Sequence, residues 1–248
     1  MRHLKVYNMQ HSGSKVISFS LWGTDPLYVE GAIRNADLAA VIYPEWTCYY
    51  YCNSCVPKEI IDRLKNKPNT KVIELADEGG TFSALNRFLV VEEDGVEYAI
   101  FRDADSRLSM REKIAVDAWL SSVADIHIMR DHPYHGWFVQ AGMFGLKAEK
   151  FRGRMKNAIA EYVPTGKRTD DQDFISPYLG NRIQQERLSV ILHDPFFTKT
   201  PFPKGCQRGE NNGGVYFVGQ RIPIKNGTDY YPINDEDNTL VDRHETKI

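Results

Sequence analysis

The 248 residues are 42% hydrophobic and 12% aromatic, the composition of an ordinary globular protein able to bury a substantial core as one domain or two fused lobes. Lys and Arg number 31 against 33 Asp and Glu, so the net charge of −2 excludes an overall electrostatic attraction to nucleic acid or an anionic membrane, and any anion site must be local. No stretch approaches the roughly 18 apolar residues of a membrane span, and the polar start MRHLKVYNMQHSGSK lacks the apolar run of a signal peptide, so the expectation is a soluble, cytoplasmic protein.

In chain order, KVISFSLWG reads as a strand, and YVEGAIRNADLAAVIY as a helix packed on a sheet through Val29, Ile33, Ala36, Leu38 and Ala40. WTCYYYC is strand-like, PKEIIDRLKN a helix with proline at its start, TKVIEL a strand, TFSALNRFLVVEE a helix and EYAIFRD a strand. This alternation predicts an α/β fold with a mostly parallel, Rossmann-like central sheet flanked by helices, on which ligands bind beyond the carboxyl ends of the strands. The second half changes character. Helix REKIAVDAWLSSV, strand DIHIMR, aromatic loop DHPYHGWFVQ and strand AGMFGLK come first, then helices around 148–163 and 171–187. From Pro195 the chain is irregular, with VYFVGQRI its one clear strand, and should wrap the sheet or close the site, while the last ten residues are polar enough to fray.

Cys48, Cys52 and Cys55 cluster while Cys206 lies far away. One C-x-x-C without a second pair is a poor match to structural zinc spacing, and reduced thiols fit a cytosolic compartment better.

The chemically suggestive stretch is EYAIFRDADSRLSMRE. A buried strand YAIF that leaves the sheet into Asp103 and Asp105 places two carboxylates on one side of extended backbone. Hard oxygen donors so spaced can share one divalent ion whose other positions stay open to phosphate oxygens. Arg102 and Arg107 would offset the acidic charge or pair with a diphosphate. The plain alternative is that these aspartates cap the next helix or face water in a loop.

The segment SALNRFLVVEEDGVEYAIFRDADSR resembles the part of A-type glycosyltransferases in which an Ala-Leu-Asn helix leads into a strand ending in D-x-D. RDADSRLSMRE, MRDHPYHGWFVQAGMFGLK and DQDF are similar, in the same order, to blocks of sugar-nucleotide-dependent transferases across residues 16–220. The resemblance implies a single GT-A-like glycosyltransferase domain over 1–248, with a nucleotide-sugar half (1–105) and an acceptor half with a C-terminal wrap (106–248). It also implies Mn²⁺ or Mg²⁺, and a nucleoside diphosphate sugar as donor, UDP-linked by preference and GDP-linked as the rival. The acceptor would be a hydroxyl of a glycan or glycoprotein.

Carried over by residue, Asp103 and Asp105 would hold metal and diphosphate, with His193 in VILHDPFF completing the metal site unless it is a satisfied core histidine. Ser18, Ser20 and Trp22 would contact base and ribose, and Arg87, Arg102 and Asp103 the donor. No Walker-type or G-x-G-x-x-G loop is present, so a metal must carry more of the charge neutralisation. Asp171 and Asp173 in TDDQDF are the candidate catalytic carboxylates, although Asp170 as N-cap and Asp171 in the first turn of a helix would account for both. Asp131, His132, His135, Trp137 and Gly142 are candidates for acceptor or sugar, against the alternative that this aromatic loop simply packs over the sheet.

Three other functions meet the same features less well. A haloacid-dehalogenase-type phosphohydrolase places its D-x-D after the first strand. A sugar-1-phosphate nucleotidyltransferase resembles glycine- and lysine-rich N-terminal signatures absent after residue 16. A non-catalytic nucleotide-sugar or glycan-binding module would bind without metal-dependent turnover.

Overall fold

A computed structural model describes residues 14–205, 207–208 and 215–230. Three features noted above, the N-terminal 13 residues, Cys206 and the polar C-terminal stretch, lie outside them. Strand β1 (Ser14–Leu21) is buried on both faces over its last six residues, as expected of an apolar strand paired on both edges. Helix α1 (Pro26–Ile42) follows, with proline opening the helix and Asp25 capping it by accepting from the Leu27 amide. Strand β2 (Trp46–Asn53), α2 (Lys58–Lys65) and edge strand β3 (Thr70–Leu75) complete the first parallel units.

After β4 (Val96–Phe101) come α3 (Met110–Leu120), β5 (Ile126–Met129), β6 (Phe144–Lys147), α4 (Met155–Glu161), α5 (Asp170–Glu186) and β7 (Val190–His193). The seven strands lie in the order β3-β2-β1-β4-β6-β5-β7. All pair in parallel except β6, which runs antiparallel between β4 and β5. Strand order reverses direction between β1 and β4, so the carboxyl ends of these two strands diverge into connections on opposite sides and leave a crevice between them. One apolar cluster, with α1, α2 and α3, fills one face of the sheet. A second, built on Phe88, Phe101, Phe144 and Phe174, fills the other.

Four expectations are corrected. Thr81–Glu92 is 3-10 rather than α-helical: its buried residues fall into two files three apart, Ala84, Arg87, Val90 and Leu85, Phe88, Val91, which a three-residue turn aligns and an α-turn would spread. The helix over 148–163 is two pieces, a 3-10 turn Ala148–Lys150 and α4, separated at Gly153, whose φ of +76° breaks the helix. VYFVGQRI is not a strand. It crosses the sheet end as turns, with a single bridge from Arg221 to Ser106, and the small ribbon β8 (Ile224–Lys225) and β9 (Thr228–Asp229) follows it. Finally, α5 is capped at Thr169, so Asp170 lies inside the helix and not at its cap.

Cys48 and Cys52 lie buried in β2, where burial pushes both thiols up to about 12. The Cys55 thiol accepts from the Gly23 amide and donates to the Glu78 carbonyl. Among the described residues no helix is long and apolar enough to cross a membrane.

Candidate active site

The carboxyl ends of β1 and β4 open into a cleft of about 440 Å³, lined by Ser20, Trp22 and Tyr28 on the β1 side, Arg87, Asp103 and Asp105 at its base, and His135, Gly142, Arg168, Asp171 and Gln172 opposite. Helix α1 passes under the turn that carries the two aspartates. A Cβ on Gly31 would sit 2.1 Å from the Ala104 carbonyl, so only glycine lets the helix approach the turn this closely.

Asp103 and Asp105 differ in environment. Asp103 has a side chain 42% exposed, and its Oδ1 accepts from Arg87 at 2.5 Å. Asp105 is nearly buried, and burial together with the neighbouring Asp103 charge pushes its carboxyl up to about 6. The strap that follows residue 215 seats it: the Ile222 amide donates to the Asp105 carbonyl at 2.8 Å, and the Arg221 Nε lies 3.6 Å from its Oδ2.

Arg87 is the hub. One guanidinium nitrogen reaches Asp103 and the Arg102 carbonyl, and the other reaches Asp171 Oδ2 at 2.5 Å, on the first turn of α5. Burial opposes the charge, but Asp103 and Asp171 outweigh it and hold the guanidinium above its ordinary value. Burial raises Asp171, against the pull of Arg87. Ser18 and Ser20, two apart on one face of β1, fasten this hub. Ser18 donates to the Arg87 carbonyl at 2.7 Å, and Ser20 accepts from the Arg87 amide at 2.8 Å.

Of the residues singled out in the sequence, the fold therefore brings Ser20, Trp22, Arg87, Asp103, Asp105, His135, Gly142 and Asp171 to the cleft. The others go elsewhere. Ser18 is fully buried behind the 3-10 segment. Arg102 leaves β4 on the opposite face from Asp103, as strand alternation requires, and binds Glu112 and the Phe101 and Phe144 carbonyls. Arg107 turns to a bidentate pair with Asp229. Asp131 is fully buried, paired with Arg111 and accepting from the Val218 amide. His132 packs on Phe217 with ring centroids 4.5 Å apart, and Trp137 is exposed beside the cleft rather than in it. Asp173 faces away and accepts from the Thr169 hydroxyl. His193 bonds His127 at 2.8 Å and lies tilted against Phe202, so the metal-ligand expectation for it gives way to the core-histidine one.

Tyr28, Arg168 and Gln172 were not picked out in the sequence. Tyr28 lies in the first turn of α1 beyond the β1 end, and Arg168 precedes the acidic start of α5, so both positions flank motifs already singled out. Gln172 is the residue between the two candidate carboxylates.

Two hard carboxylates, one of them held up by burial and by the other's charge, are a donor set that a divalent cation would relieve, so the residues fit Mg²⁺ or Mn²⁺. Among the described residues no cluster of three or more His, Cys, Asp or Glu is arranged to hold a metal. Phosphate oxygens and water would supply the remaining positions.

No family model matches the chain, and no curated protein matches it in sequence. Solved structures do match. A glycosyltransferase involved in the glycosylation of the major capsid of PBCV-1 aligns with a TM-score of 0.51 at 13% identity, over 73% of this chain and 82% of its own. A mannosyltransferase from Pyrobaculum calidifontis, in complex with GDP-Man and Mn²⁺, aligns with a TM-score of 0.51 at 13% identity, over 75% of this chain and 56% of its own. The chain has the GT-A fold. That fold extends beyond sugar transfer: 4-diphosphocytidyl-2C-methyl-D-erythritol synthase from Anaerococcus prevotii aligns with a TM-score of 0.51 at 10% identity, over 95% of this chain and 100% of its own. The GT-A sheet is thus common to all three, and the chain spans little more than half of the mannosyltransferase. In each case the likeness is one of fold.

Proposed function

We propose that the chain is a divalent-cation-dependent glycosyltransferase that moves a sugar from a nucleoside diphosphate sugar, UDP- or GDP-linked, to a hydroxyl of a glycan or glycoprotein acceptor in the cytoplasm. The observation that carries this reading is the convergence of Asp103 and Asp105 with the Arg87–Asp171 pair at the β1/β4 crevice. Asp103 and Asp105 would hold the cation, which when bound supplies Lewis-acid stabilisation of the departing diphosphate. Trp22 and Tyr28, with ring centroids 6.4 Å apart, give the β1 side a flat apolar wall suited to a base. Arg168 lines the opposite wall, where a guanidinium suits the oxygens of a diphosphate. Asp171 keeps a lone pair on each oxygen beyond its bonds to Arg87 and the Gln172 amide, and is the carboxylate placed to take a proton from an acceptor hydroxyl. His135, which burial and His132 push down to about 3, stays neutral as a sugar contact, and Trp137, exposed in the same loop, is the aromatic proposed to meet the acceptor.

A screen of nucleotide sugars with Mn²⁺ tests this. The expected result is thermal stabilisation and donor turnover with one nucleotide class, both abolished by chelation. A nucleotidyltransferase reading draws on the full-length alignment with the synthase. It would require a triphosphate, yet residues 22–27, Trp-Gly-Thr-Asp-Pro-Leu, offer no basic side chain where the chain leaves β1. Release of pyrophosphate from a nucleoside triphosphate and a sugar phosphate would favour it instead.

A further inference from the structure

Gln172, which follows Asp171 in the first turn of α5, lines the cleft, and its amide is committed in both directions. Its Oε1 accepts from the Ala141 amide at 2.9 Å, and its Nε2 donates to the Val139 carbonyl. One turn further along the same helix face, the Ser176 hydroxyl accepts from the Val139 amide at 3.4 Å. The strap 139–142, a bend followed by the turn that the Met143 amide closes on the Gln140 carbonyl, is thus fastened to side chains of α5, and Val139 and Ala141 are buried. The strap ends at Gly142, where a Cβ would lie 2.0 Å from Asp103 Oδ2. Backbone therefore lies directly against the Asp103 carboxylate that Arg87 also holds.

We infer that Gln172 is a positioning residue which, by holding the 139–142 strap in place, fixes the Asp103 carboxylate between Gly142 and Arg87 in the orientation needed to receive a divalent cation. This rests on the reading of Asp103 as a cation ligand. Helix α5 then acts on Asp103 by two routes, through Asp171 and Arg87 and through the strap. Removing the amide while keeping the volume frees the strap without opening a cavity. Losing an outer partner that orients a ligating carboxylate typically weakens metal binding about 10–100-fold.

The test uses the full chain with Mn²⁺ and UDP or GDP, read by titration calorimetry and by the Mn²⁺ resonance signal. Gln172→Met is expected to raise the Mn²⁺ Kd at least about tenfold, with little further loss when combined with Asp103→Asn, because both act on one group. Gly142→Ala, which displaces Asp103 from the strap side, is expected to give the same phenotype and serves if Gln172→Met fails to fold. A folded Gln172→Met protein with wild-type Mn²⁺ affinity, or with a loss that persists unchanged on the Asp103→Asn background, overturns the inference. A metal-free crystal structure of each variant separates this from the functional reading. Asp103 should leave Arg87 in Gln172→Met whether or not the wild type binds nucleotide, and an unmoved Asp103 refutes the positioning role alone. Absence of any Mn²⁺-dependent nucleotide binding by the wild type refutes the glycosyltransferase reading instead.

Discussion

At the scale of single residues, the cleft separates carboxylates that the sequence leaves side by side. Asp171 lies in the site and Asp173 one side-chain direction away, because residues two apart on a helix do not share a face. Asp171→Asn is therefore expected to lower kcat by about 10²–10⁴-fold with little change in donor KM, while Asp173→Asn stays near wild type; steady-state kinetics with a limiting donor checks both. Asp105 trades stability for binding. Its folded-state carboxyl is raised to about 6 by burial and by Asp103, so ionisation costs stability as pH rises from its unfolded value through 6. Asp105→Asn should abolish Mn²⁺-dependent nucleotide binding and at the same time stabilise the metal-free protein at pH 7, by up to about 3 kcal/mol, a rise visible in thermal melts. Arg168→Ala should weaken nucleoside diphosphate binding about tenfold, with a flatter dependence on salt. Lys167→Ala, one residue off the cleft, should not.

At the scale of elements, the loop before α5 and the strap after residue 215 hold the site from opposite sides. Asp170 accepts from the Thr165 amide and hydroxyl, the Gly166 amide and the Tyr162 hydroxyl, and these donors hold its carboxyl below the usual range despite burial. That knot aims the 163–169 loop, and with it Arg168, across the cleft. The strap is anchored by Arg107, whose side chain is fully buried against Asp229. Asp229→Asn leaves a buried guanidinium without its counter-charge and should cost about 3 kcal/mol in denaturant unfolding. Because the same strap donates to the Asp105 carbonyl, it should also weaken Mn²⁺ binding. The βα units were legible at this scale, since apolar runs, the capping Asp25 and Pro26, and turn residues all act locally. The 3-10 segment was misread because a three-residue and a 3.6-residue period diverge slowly, and only the two buried files around Arg87 and Phe88 tell them apart.

Across the whole molecule, the second half joins the apolar cluster on one face of the sheet through Phe144, Phe151 and Phe174, and buried polar pairs tie its connections together, among them Arg111–Asp131, Arg130–Asp194 and His127–His193. The two histidines make this measurable. Burial holds His127 well below its ordinary value and His193 at about 4, so both stay neutral in the folded chain while the unfolded chain takes up protons below about 6.5. Stability from this source is complete above that pH. It falls as pH drops toward 4, by up to roughly 1.4 kcal/mol per pH unit for each histidine, and levels off once the folded state also titrates. Urea unfolding of the wild type and of a His127→Gln/His193→Gln variant between pH 7 and 4 should show that slope in the first and lose it in the second, which cancels the opposing contribution of Asp105.

The sequence by itself determined the alternating βα core, the D-x-D at the end of β4 and the acidic start of α5, because each is written in neighbours close along the chain. Only the tertiary structure decided which polar groups share the cleft. Asp131, Arg102 and His193 carry the same chemistry as Asp171, Arg87 and His135. Which of them face a ligand and which satisfy the core depends on strand alternation and on partners 10 to more than 80 residues away, such as Glu112 for Arg102 and Val218 for Asp131. A buried charge must find a partner wherever the fold supplies one, and that choice is made in space rather than along the chain.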